Sequence, residues 1–193
     1  YQQVYDKNGK ALEGVVVDRN GDGTISEADK YFYHSPAAPV TMGLSSRLEY
    51  KNWDFGFTLR SSLGNYVYND LAAGMASCNK ENALFPKSRY LTNRLISSIN
   101  DNWQSSAETT VLSDRFVQNA SFLKCDNITL GYTFNNLFRC GSYKGIGGRV
   151  YGTVNNVFTI TNYDGVDPEV YGGIDNNAYP RPISFIVGLS LNF

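Results

Sequence analysis

Long apolar runs are missing from this sequence. None approaches the ~18 residues that a membrane-spanning helix needs, and mean hydropathy is -0.32. A helical membrane protein is excluded. A β-barrel is not, because strands that alternate apolar and polar residues average to a modest hydropathy. An excess of either charge is also missing, with 17 Lys+Arg against 18 Asp+Glu. No basic face is implied, so nucleic acid is not an expected partner. Histidine is down to His34 alone. With no second histidine and no serine-centred motif beside it, neither a zinc site nor a catalytic triad is expected. Cysteine is sparse. Cys78, Cys125 and Cys140 stand far apart with no CxxC spacing. That leaves either one disulfide and a free thiol, or three unpaired thiols. The GIGG at 145–148 lacks the strand-to-helix context of a nucleotide loop and reads as a turn. No signal peptide is visible and the chain opens on Tyr1. It reads as a fragment or a processed product, so a missing leader says nothing about location.

What is abundant points one way. Aromatics make up 14% of the 193 residues, with 14 Tyr and 11 Phe, beside 18 Gly. Tyr, Phe, Thr and Val suit strands, and Gly, Asn and Asp suit the turns between them. The composition is all-β, and the length allows a sizeable core.

Alternation supports this. In 41–50, Met42, Leu44, Leu48 and Tyr50 share one face; in 52–60, Trp53, Phe55, Phe57 and Leu59 do. The two runs meet at a tight YKN hairpin. In 120–134, Ala120, Phe122, Ile128, Leu130, Tyr132 and Phe134 share one parity, which Lys124 and Asp126 interrupt. In 147–160 the face is Val150, Val154, Phe158 and Ile160, and in 182–193 it runs unbroken from Ile183 to Phe193. Between these five strands, long connections (1–39, 61–118, 161–181) alternate with short ones (Tyr50–Asn52, 135–146). The segment 91–103 suits a short helix within the second long loop. A soluble sandwich core would also produce apolar stripes. It has no reason to sort its loops by length, whereas an outer-membrane barrel does. Tyr50, Trp53, Tyr132 and Phe134 fall where an aromatic girdle belongs. Five strands cannot close a barrel, since about eight are needed. The remaining strands are expected upstream of Tyr1.

DRNGDGTISEAD, Asp18 to Asp29, has the spacing of a calcium loop. Asp18, Asn20 and Asp22 occupy ligand positions 1, 3 and 5. Gly23 permits the turn, Thr24 offers its carbonyl, and Ser26 can act through water. Position 12 is Asp29 rather than the bidentate Glu of an EF-hand. An acidic turn without metal fits the same residues. A sensor role is a poor fit, because neither flank reads as the helix that a sensor must reorient.

Five blocks together carry a family resemblance: DRNGDGTISEADKY, YKNWDFGFTLRSSLGNYVYN, ASFLKCDNITLGYTF, NNVFTITNYDGVDPEV and NAYPRPISFIVGLSLNF. In order and spacing they resemble the C-terminal end of SusC/RagA-type TonB-dependent outer-membrane transporters of Bacteroidetes. The resemblance spans Asp18 to Phe193. It implies a large barrel with an N-terminal plug, energy from TonB, and a SusD-like lipoprotein over the extracellular side. It also implies import of a glycan or oligosaccharide, or in some members a peptide, and no enzyme activity. Residues 1–39 would then be an extracellular loop, and 40–193 the C-terminal strands, with the plug and TonB-binding region outside this chain. The Asp at position 12 resembles dockerin loops and is the form this family uses. Calcium there would stiffen an extracellular loop. Gly188, Leu191 and Phe193 resemble the terminal signal read by the barrel-assembly machinery, although Ile186 replaces its usual polar residue. Cys125 and Asp126 stand where apolar or basic residues are more usual.

Other residues could carry chemistry or contacts. Asp164, Asp167 and Glu169 are candidates for paired catalytic carboxylates, but with Gly165 and Pro168 among them they better suit a turn. Tyr163, Tyr171 and Tyr179, and Tyr66 and Tyr68 beside Asn65 and Asn69, suit either sugar stacking or packing on a lid protein. The competing account is a secreted soluble β-domain that binds calcium and carbohydrate.

Overall fold

The computed structural model describes residues 1–76, 103, 107–137, 145–176 and 179–192. They form two compact units. The first holds Tyr1–Ala37, Asn65–Ala120 and Tyr163–Tyr179, and the second Ala38–Gly64, Ser121–Asn162 and Pro180–Phe193. The division is therefore not a linear one at residue 39. The long connections fold together, and the long strands fold together.

The strand unit is one antiparallel sheet. Its members are β3 (Val40–Tyr50), β4 (Trp53–Leu63), β7 (Phe122–Leu137), β8 (Ile146–Thr161) and β10 (Ser184–Asn192), in the order β10-β8-β7-β4-β3. Each pairs with its sequence neighbour within this sheet. Tyr50 faces Trp53 across a two-residue turn, and Lys51 adopts φ 54° to make it. The short connections leave the end of the sheet where Tyr50, Trp53, Leu137 and Ile146 lie. The long ones leave the opposite end, at Leu63, Phe122 and Thr161.

Alternation holds along β3, β4, β8 and β10, but β7 departs from it. Thr58 faces Asn127 while Leu59 faces Cys125, so Asp126 is an extra residue in the strand. This bulge reverses the parity of everything before it. Cys125 and Leu123 therefore join the apolar face, and Lys124 joins Arg60 on the polar one. Phe122 belongs with the polar-side row of Ser62 and Thr161, not with Ile128 and Leu130. The polar interruption in this run is thus a change of phase. The register also shifts in β8, where Asn156 sits at φ 52°.

The loop unit has more regular structure than its turn-rich sequence predicts. β1 (Gln3–Tyr5) pairs with β2 (Ala11–Val16) inside the segment expected to be loop. Asp6 closes that hairpin by accepting from the backbone N–H of Asn8 and of Lys10. β5 (Tyr66–Asn69) pairs antiparallel with β6 (Val117–Asn119) and parallel with β9 (Ile174–Asp175). A short helix follows at Asp70–Ala76, where Asn69 accepts from the Ala72 amide. Two small cores hold the unit. One is Ala11, Ala73, Trp103 and Phe116; the other is Val67, Ala120 and Tyr163. The expected helix at 91–103 lies outside the described residues except for Trp103, and so do Cys78 and Cys140.

Candidate functional site

Register turns the strand pattern into two chemically opposite faces. On one, cross-strand rows read Tyr50–Trp53–Tyr132–Val150–Leu189, then Leu48–Phe55–Leu130–Gly152–Val187, then Ser46–Phe57–Ile128–Val154–Phe185. Further rows add Leu44, Leu59, Cys125 and Phe158, then Met42, Leu123 and Ile160. Among the described residues nothing covers most of these side chains: Val187 is 83% exposed, Phe185 78% and Leu48 61%. An uncovered apolar face running across five strands is not tolerable in water. A sandwich would need a second sheet on it, and among the described residues none lies there. The 11 residues of β3, tilted at ~45°, span roughly 25 Å, the height of a barrel's lipid-facing band. Trp53 and Tyr132 pack 4.8 Å apart at the short-turn end, with Lys51 Nζ 5.2 Å from the Tyr50 ring centroid. Amphipathic aromatics and a cation gather there, as at a lipid–water boundary. Phe134 lies one further step along β7.

The opposite face is polar. Its rows include Ser45–Thr58–Asn127–Asn155–Ser184 and Arg47–Gly56–Thr129–Thr153. Asp54 on β4 accepts two hydrogen bonds from Arg149 on β8, at 2.9 and 2.5 Å, across the intervening β7. Gly131 makes this reach possible, because a side chain there would run into both partners. Arg47 lies 3.9 Å from Asp54 and pairs with Glu49 at 3.0 Å. Arg60 forks onto Asp126, its Nη2 3.0 Å from Oδ1. Thr129 and Thr153 hydroxyls are 2.8 Å apart. None of these pairs is legible before register is known. Their only sequence signal is that Asp54, Arg60 and Arg149 fall on the polar parity.

The Asp18 loop is wound by its own side chains. Asp18 accepts from the amides of Gly21 and Gly23, at 2.7 and 2.8 Å. Asn20 accepts from Asp22, and Asp22 from the Thr24 amide and hydroxyl. Gly21 and Gly23 hold φ of 74° and 82°, conformations that favour glycine. Asp29 is fully buried and accepts from the Ser26 and Arg19 amides, both at 2.8 Å. Those bonds, Ser26 first, lower its pKa below the ordinary carboxylate value. The bonds from Thr24 do the same for Asp22. Ser26 and Asp29 form a reciprocal capping box on the turn Glu27–Asp29. No flanking helix is present, as expected. Among the described residues no three His, Cys, Asp or Glu side chains gather as a metal-ligand cluster. The donors at the expected positions are all oxygens, the chemistry that suits a hard cation.

The loop tyrosines separate into two groups. Tyr163 is 6% exposed and donates to Asp175 at 2.7 Å, so it is a core residue and not part of a ligand surface. Burial and Asp175 both hold its hydroxyl protonated. Tyr68 donates to the Val111 carbonyl, and its pKa is pushed up to about 12, mainly by burial. Tyr66 stacks on His34 at 3.7 Å and is half-buried. Tyr171 and Tyr179 are exposed, and Phe32, which the sequence did not single out, is fully exposed too. Asn65 and Asn69 are buried. Asp167 accepts from the Glu169 amide at 2.9 Å, the bond of a turn. Gly188 underlies the Tyr151 ring, Leu191 is on the apolar face, and Phe193 lies outside the described residues.

A two-faced sheet with loops sorted by length meets its counterpart among known proteins. The chain is 52% identical, over all 193 residues, to the TonB-dependent receptor SusC of Bacteroides thetaiotaomicron. The chain belongs to the SusC/RagA-like TonB-dependent receptors. It is also 29% identical, over 130 residues, to TonB-dependent receptor P3 of Formosa agariphila. It spans 19% and 12% of the length of these relatives. No family model matches it. Among solved structures, the RagAB peptide importer in its closed-closed state superposes with a TM-score of 0.66 at 25% identity, over 98% of this chain and 20% of that one. The open-open state of the same importer gives 0.66 at 22% identity and supports the fold alone. This receptor segment is thus a portion of barrel wall with its loops, not an enzyme. The described strands do not close a barrel by themselves.

Proposed function

We propose that the receptor to which this segment belongs imports a nutrient, glycan or peptide, across the outer membrane. TonB would drive it through regions outside these residues, and a SusD-like lipoprotein would cover its outer side. The observation that supports this most is the uncovered apolar face across five strands, in a chain half identical to SusC. Lipid is the solvent in which that face is stable. The RagAB importer, a fold neighbour, supports the two-component arrangement. A secreted soluble domain would have to hide the same face, and no other observation favours it.

Fractionation of native cells with an antibody to residues 161–181 tests the proposal. Recovery from detergent-extracted outer membrane, with a SusD-like lipoprotein co-purifying, is the expected result. Recovery from the soluble secreted fraction overturns it.

Within this reading the Asp18 loop holds calcium on the extracellular side. Asp18, Asn20, Asp22, the Thr24 carbonyl, Ser26 and Asp29 would supply the oxygens, and the ion would fix the loop's path without taking part in transport. Removing calcium with a chelator should expose the bonds flanking Arg19 and Lys30 to trypsin, and Asp22→Ala should do so with calcium present. A cleavage rate indifferent to both would leave the loop as a metal-free turn.

A further inference from the structure

We propose that Asn8 is a self-modification site. It cyclises onto the Gly9 amide and hydrolyses to aspartate and isoaspartate, while Asn20, in the same Asn–Gly dipeptide, is spared by the fold. The chain holds two such pairs, Asn8–Gly9 and Asn20–Gly21. Glycine has no side chain to shield its backbone nitrogen, so another group can approach closely. The chemistry is the same at both. The glycine nitrogen gives up its proton and attacks the asparagine Cγ. An N–Cγ bond forms, the Cγ–Nδ2 bond breaks, and ammonia leaves carrying that proton. Water then opens the succinimide ring at either carbonyl, which yields aspartate or isoaspartate. Water is the one co-reactant, and no electrons change hands.

The two pairs differ in how they are held. The Asn20 side chain is clamped at both ends: Oδ1 accepts from the Asp22 amide at 3.0 Å, and Nδ2 donates to Asp22 Oδ2 at 2.8 Å. The attacking nitrogen, on Gly21, donates to Asp18 Oδ1 at 2.7 Å. All three bonds must break before the ring can close. At Asn8 the side-chain amide is exposed and has no hydrogen bond among the described residues. Only the Gly9 amide is engaged, on the Asp6 carbonyl at 3.0 Å. Charge works in the same direction. A glycine nitrogen that has lost its proton is anionic, and at Gly21 it would face the carboxylates of Asp18 and Asp22. At Gly9 the single carboxylate of Asp6 is offset by Lys7 and Lys10. Conversion matters because Asn8 lies in the turn between β1 and β2. That turn is closed by the Asp6 amide on the Lys10 carbonyl at 2.8 Å, and by the Asn8 and Lys10 amides on the Asp6 carboxylate. Isoaspartate adds a carbon to the main chain inside this ring of bonds and a carboxylate beside Asp6. The hairpin then loosens next to Ala11, which packs in the core with Trp103 and Phe116.

The test uses the full-length receptor, extracted in detergent and incubated in mildly alkaline buffer containing calcium. Peptide mapping by mass spectrometry follows both asparagines, isoaspartyl methyltransferase labelling identifies isoaspartate, and heat-modifiable gel mobility confirms that the receptor stays folded. Asn8 should convert about 25-fold faster than Asn20, at about fivefold for each of the two extra bonds. In urea-unfolded receptor the two rates should converge, because the difference belongs to the fold. Hydrogen exchange at the Lys10 amide should rise in step with isoaspartate. Asn8→Gln, whose ring would be one atom larger, should stay unmodified and keep that amide protected. Equal rates in the folded receptor, or Asn20 converting first, would show that the bonds around Asn20 give no protection and overturn the assignment. An Asn8 that stays intact when folded but converts in urea overturns it as well, as does the absence of conversion in both.

Discussion

Single residues decide the loop unit, and Asp29 is the clearest case. Its carboxylate is buried and ties Ser26 and Arg19 together through their amides. Its folded pKa is lowered from an unfolded value near ~3.9. A lowered carboxylate pKa stabilises the fold at every pH above the unfolded value, and that contribution drains away as pH falls through the folded one. The loop should hold between about pH 4 and 7 and open in stronger acid. Hydrogen exchange at the Arg19 and Ser26 amides, followed from pH 6 to 2.5, should show this. Asp29→Asn should open the loop already at neutral pH and flatten the profile. Tyr163 makes the complementary case. Tyr163→Phe keeps the packing on Val67 and Ala120 but removes a buried bond to Asp175. A loss of about 1–3 kcal/mol is expected in urea unfolding of the intact receptor. The sequence placed these two residues unequally. Asp29 stands out in the sequence by its spacing from Asp18, although its burial and its bonds to the Ser26 and Arg19 amides do not. Tyr163 looked like Tyr171 and Tyr179, and only the parallel pairing of β5 with β9, which brings distant segments together, sends it inward.

At the scale of elements, period-two alternation carried most of the information. All five long strands, the apolar faces of four of them and the Lys51–Asn52 turn could be read from it, because side chains alternate in any strand whatever its neighbours. What it could not show was a change of phase inside a strand. Lys124 and Asp126 were visible as interruptions, but whether they were tolerated exceptions or a bulge depends on pairing with β4. The bulge has a measurable consequence. Deleting Asp126 removes the extra residue and leaves strict alternation along β7, with Ile128, Cys125 and Leu123 on the apolar face and Asn127, Lys124 and Phe122 on the polar one, the faces they already hold. With Asp126 kept and the bulge lost, Lys124 would instead turn toward lipid, at about 2–4 kcal/mol at mid-membrane and less near its edges. The deletion should therefore keep the folded, heat-modifiable form of the receptor and lose only the ion pair with Arg60, as should Asp126→Asn. A sharp drop in folded receptor from the deletion, with Asp126→Asn near wild type, would show that this bulge does not set the faces of β7. The small strands β1, β2, β5, β6 and β9 escaped the reading for a different reason. Strands of two to six residues offer too few alternations to stand out among turn-forming residues.

The whole molecule turns on which solvent meets each face of the sheet. In water, an arginine on an exposed apolar patch is harmless or helpful to solubility. In lipid it must leave water, at about 2–4 kcal/mol near the middle of the bilayer. Val187 is well placed to distinguish the two, being 83% exposed and opposite Gly152 in the middle of its pairing. Ser184, three residues earlier and opposite Asn155, belongs to the polar face. Val187→Arg should therefore deplete the folded receptor in the outer membrane, while Ser184→Arg in the same strand should leave its level close to wild type. Both variants add the same charge and the same side chain, so a difference between them reports the face and not the residue. If both accumulate normally, the apolar face is covered by protein or meets water, and the lipid-facing wall is wrong. If Val187→Arg alone fails, the parity that sets the lipid face also assigns Asp54, Arg149 and the Thr129–Thr153 hydroxyl pair to the opposite side of the wall.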